Sequence, residues 1–142
     1  MIKPDGNLLV YAYDDTSSFY QTASAWLENV LSNEQVLFSW HTICGFLRIV
    51  TNRRIYLNPM GIDQAVEVVS SWLALENTHL VALEKKNWPL LAEMLIEGKA
   101  DGNLVMDAHL AAVAASFGAT LASTDRDFAR FPNLRLIDPL KK

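Results

Sequence analysis

Apolar positions in this chain recur in two kinds of run, and the two kinds alternate. Where they fall three and four residues apart they predict helices. Phe19, Ala23, Trp26, Leu27, Val30 and Leu31 share one helical face, broken at Asn33-Glu34. Trp40 to Val50 sets Ile43, Phe46, Leu47 and Val50 on one side, and Ile62 to Leu75 turns Ala65, Val66, Val69, Trp72 and Leu73 inward. Asn87 to Glu97 is a helix that packs Trp88, Leu91, Leu95 and Met94. Leu104 to Phe117 is apolar nearly all round, which predicts burial on most sides, and Gly118 suits its end. Val36-Leu37-Phe38 predicts a short buried strand, and Thr78 to Leu83, Ala119 to Ser123 and Leu134 to Ile137 are further strand candidates. Met1 to Pro4 reads as an extended opening, because Pro4 biases Lys3 away from the helical region. Asp5-Gly6-Asn7 then turns the chain, and Gly6 or Asn7 starts a helix over Leu8 to Tyr13. Asp125 to Phe131 is a short helix closed by Pro132-Asn133.

Strands that alternate with helices build a parallel sheet covered on both faces. The expectation is a three-layer α/β/α domain with a central, mostly parallel sheet, formed as a single domain over residues 1–142. Sites in such sheets lie beyond the C-terminal ends of the strands. Three aspartates stand where apolar sequence stops abruptly. Asp5 ends the opening strand, Asp125 follows the strand Ala119 to Ser123, and Asp107 lies in the first turn of the most apolar helix. No Lys or Arg lies within three residues of Asp107. An ionised carboxylate beside a core is costly unless a positive charge compensates it, and a divalent cation does so for several at once. Oxygen-only ligands suit Mg²⁺ or Mn²⁺ rather than Zn²⁺. Such a centre suits phosphodiester hydrolysis through a metal-activated water.

Composition narrows the field. A hydrophobic fraction of 51% supports a proper core and excludes a disordered chain. The net charge of -4 argues against a generic nucleic-acid-coating protein, so any contact with nucleic acid must be local or assisted by metal. Cys44, the single cysteine, rules out an internal disulfide and a thiol-rich metal site, and its apolar surroundings predict a small buried residue. The opening lacks a secretory pattern, and Asp107, His109, Ser116 and Gly118 interrupt the longest apolar stretch. A cytoplasmic protein with no membrane association is therefore expected.

Several candidate residues have simpler readings beside the functional one. Asp5 serves equally as a turn or cap residue, and Asp125 as the cap of its short helix, with Ser123 and Thr124 as rivals. Asn7 either orients Asp5 or caps a helix. Arg48 either contacts RNA or covers apolar surface with its stem. Asp127 reads as a solvated first-turn acid. His41, His79 and His109 have no zinc-like spacing and read as structural or surface groups.

The segment Ser123-Thr124-Asp125-Arg126-Asp127-Phe128-Ala129-Arg130-Phe131-Pro132-Asn133-Leu134 resembles the C-terminal motif of PIN-domain proteins, in particular the VapC-type toxins of bacterial toxin–antitoxin pairs. Asn103 to Ala112, around Asp107, is similar to the third-acid motif of that family. Met1 to Ala12 is similar to its opening strand and first acid, and Phe46-Leu47-Arg48 to its middle helix. The resemblance implies a magnesium-dependent ribonuclease that is held inactive by a cognate antitoxin and forms a homodimer. It sets Asp5, Asp107 and Asp125 on the catalytic and metal positions, and Asp127 on an additional acidic position. Asn7, Ser123 and Arg48 support them. One departure stands out: many members carry Glu immediately before Phe-Leu-Arg, where this chain has Gly45. That departure favours the runner-up, a PIN-like module that binds RNA or protein with weak or no cleavage. A haloacid-dehalogenase-like phosphotransferase fits less well, because Asn7 stands where its second Asp is needed.

Overall fold

The computed structural model describes residues 1–141. Strand β1 (Ile2–Pro4) leads into α1 (Gly6–Tyr13) and α2 (Tyr20–Asn33). Strand β2 (Val36–Phe38) leads into α3 (Trp40–Val50) and α4 (Ile62–Leu73). Strand β3 (Thr78–Leu80) is followed by a 3₁₀ turn (Lys85–Asn87), α5 (Trp88–Glu97) and α6 (Leu104–Ser116). Strand β4 (Thr120–Ala122), a 3₁₀ helix (Arg126–Arg130) and β5 (Arg135–Ile137) complete the order.

The five strands run parallel in the order β3-β2-β1-β4-β5. The chain therefore winds outward from β1 in one direction and from β4 in the other. The gap between β1 and β4 is the switch point of the sheet, where a crevice opens outside the strand ends. Asp5 follows β1 and Asp125 follows β4, so the topology alone puts both beside that crevice. Pro4 has no N–H for the ladder, but the next residue restores the pairing: the Asp5 amide donates to the Ala122 carbonyl at 2.8 Å.

Successive strand residues point to opposite faces, and the chain uses both. Val36 and Phe38 join a core with Leu9, Leu27, Phe46 and Trp72, under α1 to α4. Leu37 joins a second core with Met94, Ala111, Leu121 and Phe128, under α5 and α6. This is the expected α/β/α arrangement. In the first core Phe38 stacks on Trp72 with ring centroids 5.3 Å apart, and the Trp72 indole N–H donates to the Tyr13 hydroxyl at 2.9 Å. The alanines of α6 (Ala108, Ala111, Ala112 and Ala114) are fully buried and let that helix lie close to the sheet.

Several expectations require correction. Strand β3 ends at Leu80 rather than Leu83, although the Val81 amide adds a last rung to the Phe38 carbonyl at 2.9 Å. Val66, Leu73 and Cys44 are exposed rather than inward. Each follows a buried residue by one position (Ala65, Trp72, Ile43), and one residue turns a helix by about 100°. The contact stripe on these helices is narrower than the apolar stripe. Trp88 is exposed because it opens α5, where Pro89 follows, and Met94 fills the core instead.

Candidate active site

Each acid reaches the crevice for a local reason. Asp5 caps α1: its Oδ1 accepts the Gly6 amide at 2.8 Å. Its Oδ2 accepts the Ser123 hydroxyl at 2.8 Å, and the Ser123 oxygen accepts the Asp125 amide at 3.0 Å. Buried Ser123 thus links the ends of β1 and β4, while the cap of the 3₁₀ helix falls to Asp125. Asp125 caps the 3₁₀ helix by accepting the Asp127 amide at 2.9 Å. That cap turns the chain so that Asp127 stands beside Asp125. Asp107 enters from the first turn of α6.

Carboxylate oxygens of Asp107, Asp125 and Asp127 all lie within 4.8 Å of one another. Asp5 stands outside this tight group, held by Ser123, yet its charge is felt within it. Asp107 is pushed up to about 6 by desolvation first, then by Asp125, Asp5 and Asp127, with Arg130 opposing them. Four acids therefore share one electrostatic site. Two oxygens on opposite sides of a Mg²⁺ ion are about 4.2 Å apart. A group within 4.8 Å needs only a few tenths of an ångström of closure to hold such an ion. Uncompensated negative charge and an all-oxygen donor set make the residues present a fit for a hard divalent cation.

Some of the supporting groups escape a sequence reading. Lys3 lies in β1 and is fully buried, on the face opposite Ile2, with its Nζ donating to Thr42 Oγ1 at 3.2 Å. Thr42 in turn contacts Ser39 Oγ at 3.1 Å. Burial pushes the Lys3 ammonium down to about 8, while the Asp5 carboxylate holds it up. A lysine between Ile2 and Pro4 in a central strand was the available signal, since lysine is depleted there. His109, two residues after Asp107 on α6, has a buried Nδ1 without a hydrogen-bond partner among the described residues. Burial lowers its pKa, and His41 and Lys3 lower it further. Arg130 donates through Nη1 to the Gly98 carbonyl at 3.0 Å and lies 4.0 Å from Asp127. Asn7 and Arg48 are exposed, and Arg48 makes no ion pair among the described residues.

Comparison with known proteins decides the family. The PIN domain matches residues 2–134. The chain belongs to the PIN-domain family. Ribonuclease VapC37 of Mycobacterium tuberculosis is 35% identical over 136 residues, covering 95% of this chain and 94% of its own length. Ribonuclease VapC33 of the same species is 31% identical and is covered from end to end. Among solved structures, VapBC2 from Rickettsia felis, bound to a promoter DNA fragment, superposes with a TM-score of 0.68 at 20% identity, covering 96% of this chain and 98% of its own. The M. tuberculosis VapC20 structure, described as a sarcin–ricin loop cleaving toxin, gives 0.65 at 16% identity over 95% of this chain and 99% of its own. These likenesses make the chain a VapC-type PIN protein in sequence and in fold. No described helix is long and apolar enough to cross a membrane.

Proposed function

We propose that this PIN-domain chain is an endoribonuclease toxin that hydrolyses RNA phosphodiester bonds with Mg²⁺ or Mn²⁺. The observation that carries the reading is the group Asp107, Asp125 and Asp127, with Asp5 tied to Asp125 through Ser123, at the switch point of the sheet. Relatives over the full chain are named ribonucleases.

Asp107, Asp125 and Asp127 would hold the cation, and Asp5 would hold a water of its shell or complete the charge balance. Bound there, the metal supplies a water of lowered pKa and offsets charge on the phosphoryl oxygens. Ser123 keeps Asp5 and the Asp125 backbone in register. Arg130 anchors the 3₁₀ helix to the end of α5 and moderates repulsion at Asp127. Lys3 sets a buried positive charge behind Asp5, and the Asp5 carboxylate in turn holds that ammonium up against its burial.

Purified protein is expected to cleave RNA with Mg²⁺ or Mn²⁺ and to stop in EDTA. Asp107→Asn and Asp125→Asn are expected to slow cleavage by more than about a hundredfold. Calorimetric Mn²⁺ titration should lose its binding signal in Asp107→Asn. Cleavage undiminished in chelator, or in both variants, would overturn the reading.

The second reading, a binding module with weak or no cleavage, draws on Gly45. A side-chain carbon built there meets nothing within 4 Å, so the space is open and no other acid fills it. Metal binding that does not depend on Asp107 would favour this reading. As part of the toxin reading we assign a cognate antitoxin protein as partner, a homodimer as the assembly and the cytoplasm as the compartment. Uncovered apolar side chains on α4 (Ile62, Val66) and α5 (Trp88, Ile96) provide surface for such contacts.

A further inference from the structure

Beside Asp125, the ends of β4 and β5 leave a cleft of about 820 Å³. Its walls carry Tyr11, Phe19, Asp125, Arg126 and Lys141. Ligand clefts commonly span about 300–1,000 Å³, so this one has room for a nucleoside with its flanking phosphate. Tyr11 and Phe19 pack with ring centroids 5.1 Å apart and planes tilted by 49°. Tyr11 is half-buried, whereas Phe19 remains 45% exposed. Phe19 thus touches Tyr11 on one side and keeps nearly half of its surface uncovered at the cleft, where a base can stack on it. It precedes α2 and belongs to neither core.

We propose that this cleft is a subsite for an unpaired nucleotide of single-stranded RNA, with the base stacked on Phe19 and an adjoining phosphate met by Arg126 and Lys141. The inference deepens the ribonuclease reading and rests on it for the identity of the substrate. Charge is the first argument. The chain is acidic overall, at -4, yet two of its cations face this cleft. Asp138, the acid on the wall apart from Asp125, is turned onto the Leu140 amide at 3.0 Å. Continuity is the second argument. Asp125 lines the cleft and also belongs to the tight acid group, so a nucleotide held here directly adjoins the phosphodiester at the acids. Stacking on an aromatic face tolerates any base and demands an unstacked one, so it selects single strands or loops over duplex.

Binding of a fluorescein-labelled, mixed-sequence short oligoribonucleotide is measured by anisotropy in the Asp107→Asn protein, which preserves the probe. Phe19→Ala in that background is expected to weaken binding about tenfold, and Phe19→Tyr to restore it. Arg126→Gln is expected to weaken binding and to flatten its salt dependence by about one counterion. The same sequence as a duplex should be insensitive to Phe19. Cleavage by the otherwise wild-type chain is assayed in parallel. If the wild type cleaves RNA but Phe19→Ala and Arg126→Gln bind and cleave like their parents, the subsite falls and the ribonuclease reading stands. If no RNA is cleaved but binding still requires Phe19, the ribonuclease reading falls and the subsite stands. An absence of RNA binding, or displacement from the cleft by a polypeptide with RNA binding untouched, overturns the proposal.

Discussion

Desolvation and three neighbouring carboxylates raise Asp107 to about 6, roughly two units above an ordinary aspartate. An acid whose folded-state pKa is raised favours the folded protein when protonated. That contribution is complete below about pH 4 and is lost as pH rises through about 6. In metal-free protein, Asp107→Asn should therefore be more stable than the wild type near pH 7.5. The gain is about 1 kcal/mol once solvent screening of this partly exposed group is allowed for. It should vanish by pH 4, and denaturant melts at the two pH values in EDTA measure it. A second single-residue effect runs through Ser123. Ser123→Ala removes the hydroxyl that orients Asp5 and accepts the Asp125 amide. Mn²⁺ affinity by calorimetry is expected to fall about tenfold, with the fold intact by circular dichroism.

The elements that carry the acids are short, and their positions depend on neighbours. The 3₁₀ helix (Arg126–Arg130) is held from below by Phe128, which is buried in the second core, and from its far end by Phe131. Gly98, at the end of α5, admits that ring: a side-chain carbon there would come within 2.8 Å of the Phe131 ring. Arg130 adds its bond to the Gly98 carbonyl at the same place. Gly98→Ala should push the 3₁₀ helix outward, cost about 1–3 kcal/mol by overpacking, and lower RNA cleavage together with Mn²⁺ affinity. Thermal melts and calorimetry on the same variant test whether stability and metal binding fall together. Asp107 rides on α6, whose buried alanines bring it close to the sheet, and so it depends on a different set of contacts.

For the molecule as a whole, the parallel sheet gathers negative charge from three separate stretches of chain at one edge. Folding therefore works against repulsion there, and under the proposed metal reading a bound cation would relieve it and add to stability. A ligand that binds only the folded state at a hundredfold excess over its Kd stabilises it by about 2.7 kcal/mol. Mn²⁺ should raise the wild-type melting temperature accordingly and leave that of Asp125→Asn nearly unchanged. A differential scanning experiment with and without EDTA checks both. The net charge of -4 gives no general attraction for phosphate, so the proposed RNA subsite relies on the two cations of the Phe19 cleft.

Periodicity along the chain was enough to determine the alternation of strands and helices, the three-layer architecture and the placement of acids at strand ends. These depend on local spacing and on the parallel topology that alternation enforces. The abrupt halt of apolar sequence at Asp5, Asp107 and Asp125 also singled these residues out as candidates, because burial beside a carboxylate is a local cost visible in one dimension. What only tertiary structure decided is how the acids divide their work. The cap on the 3₁₀ helix swings exposed Asp127 into the tight group, and a hydrogen bond from a residue 118 positions away holds Asp5 just outside it. The exposure of Val66, Leu73, Cys44 and Trp88 was likewise out of reach. A sequence gives the width of an apolar stripe, but the neighbour that covers it determines how much of that width is used.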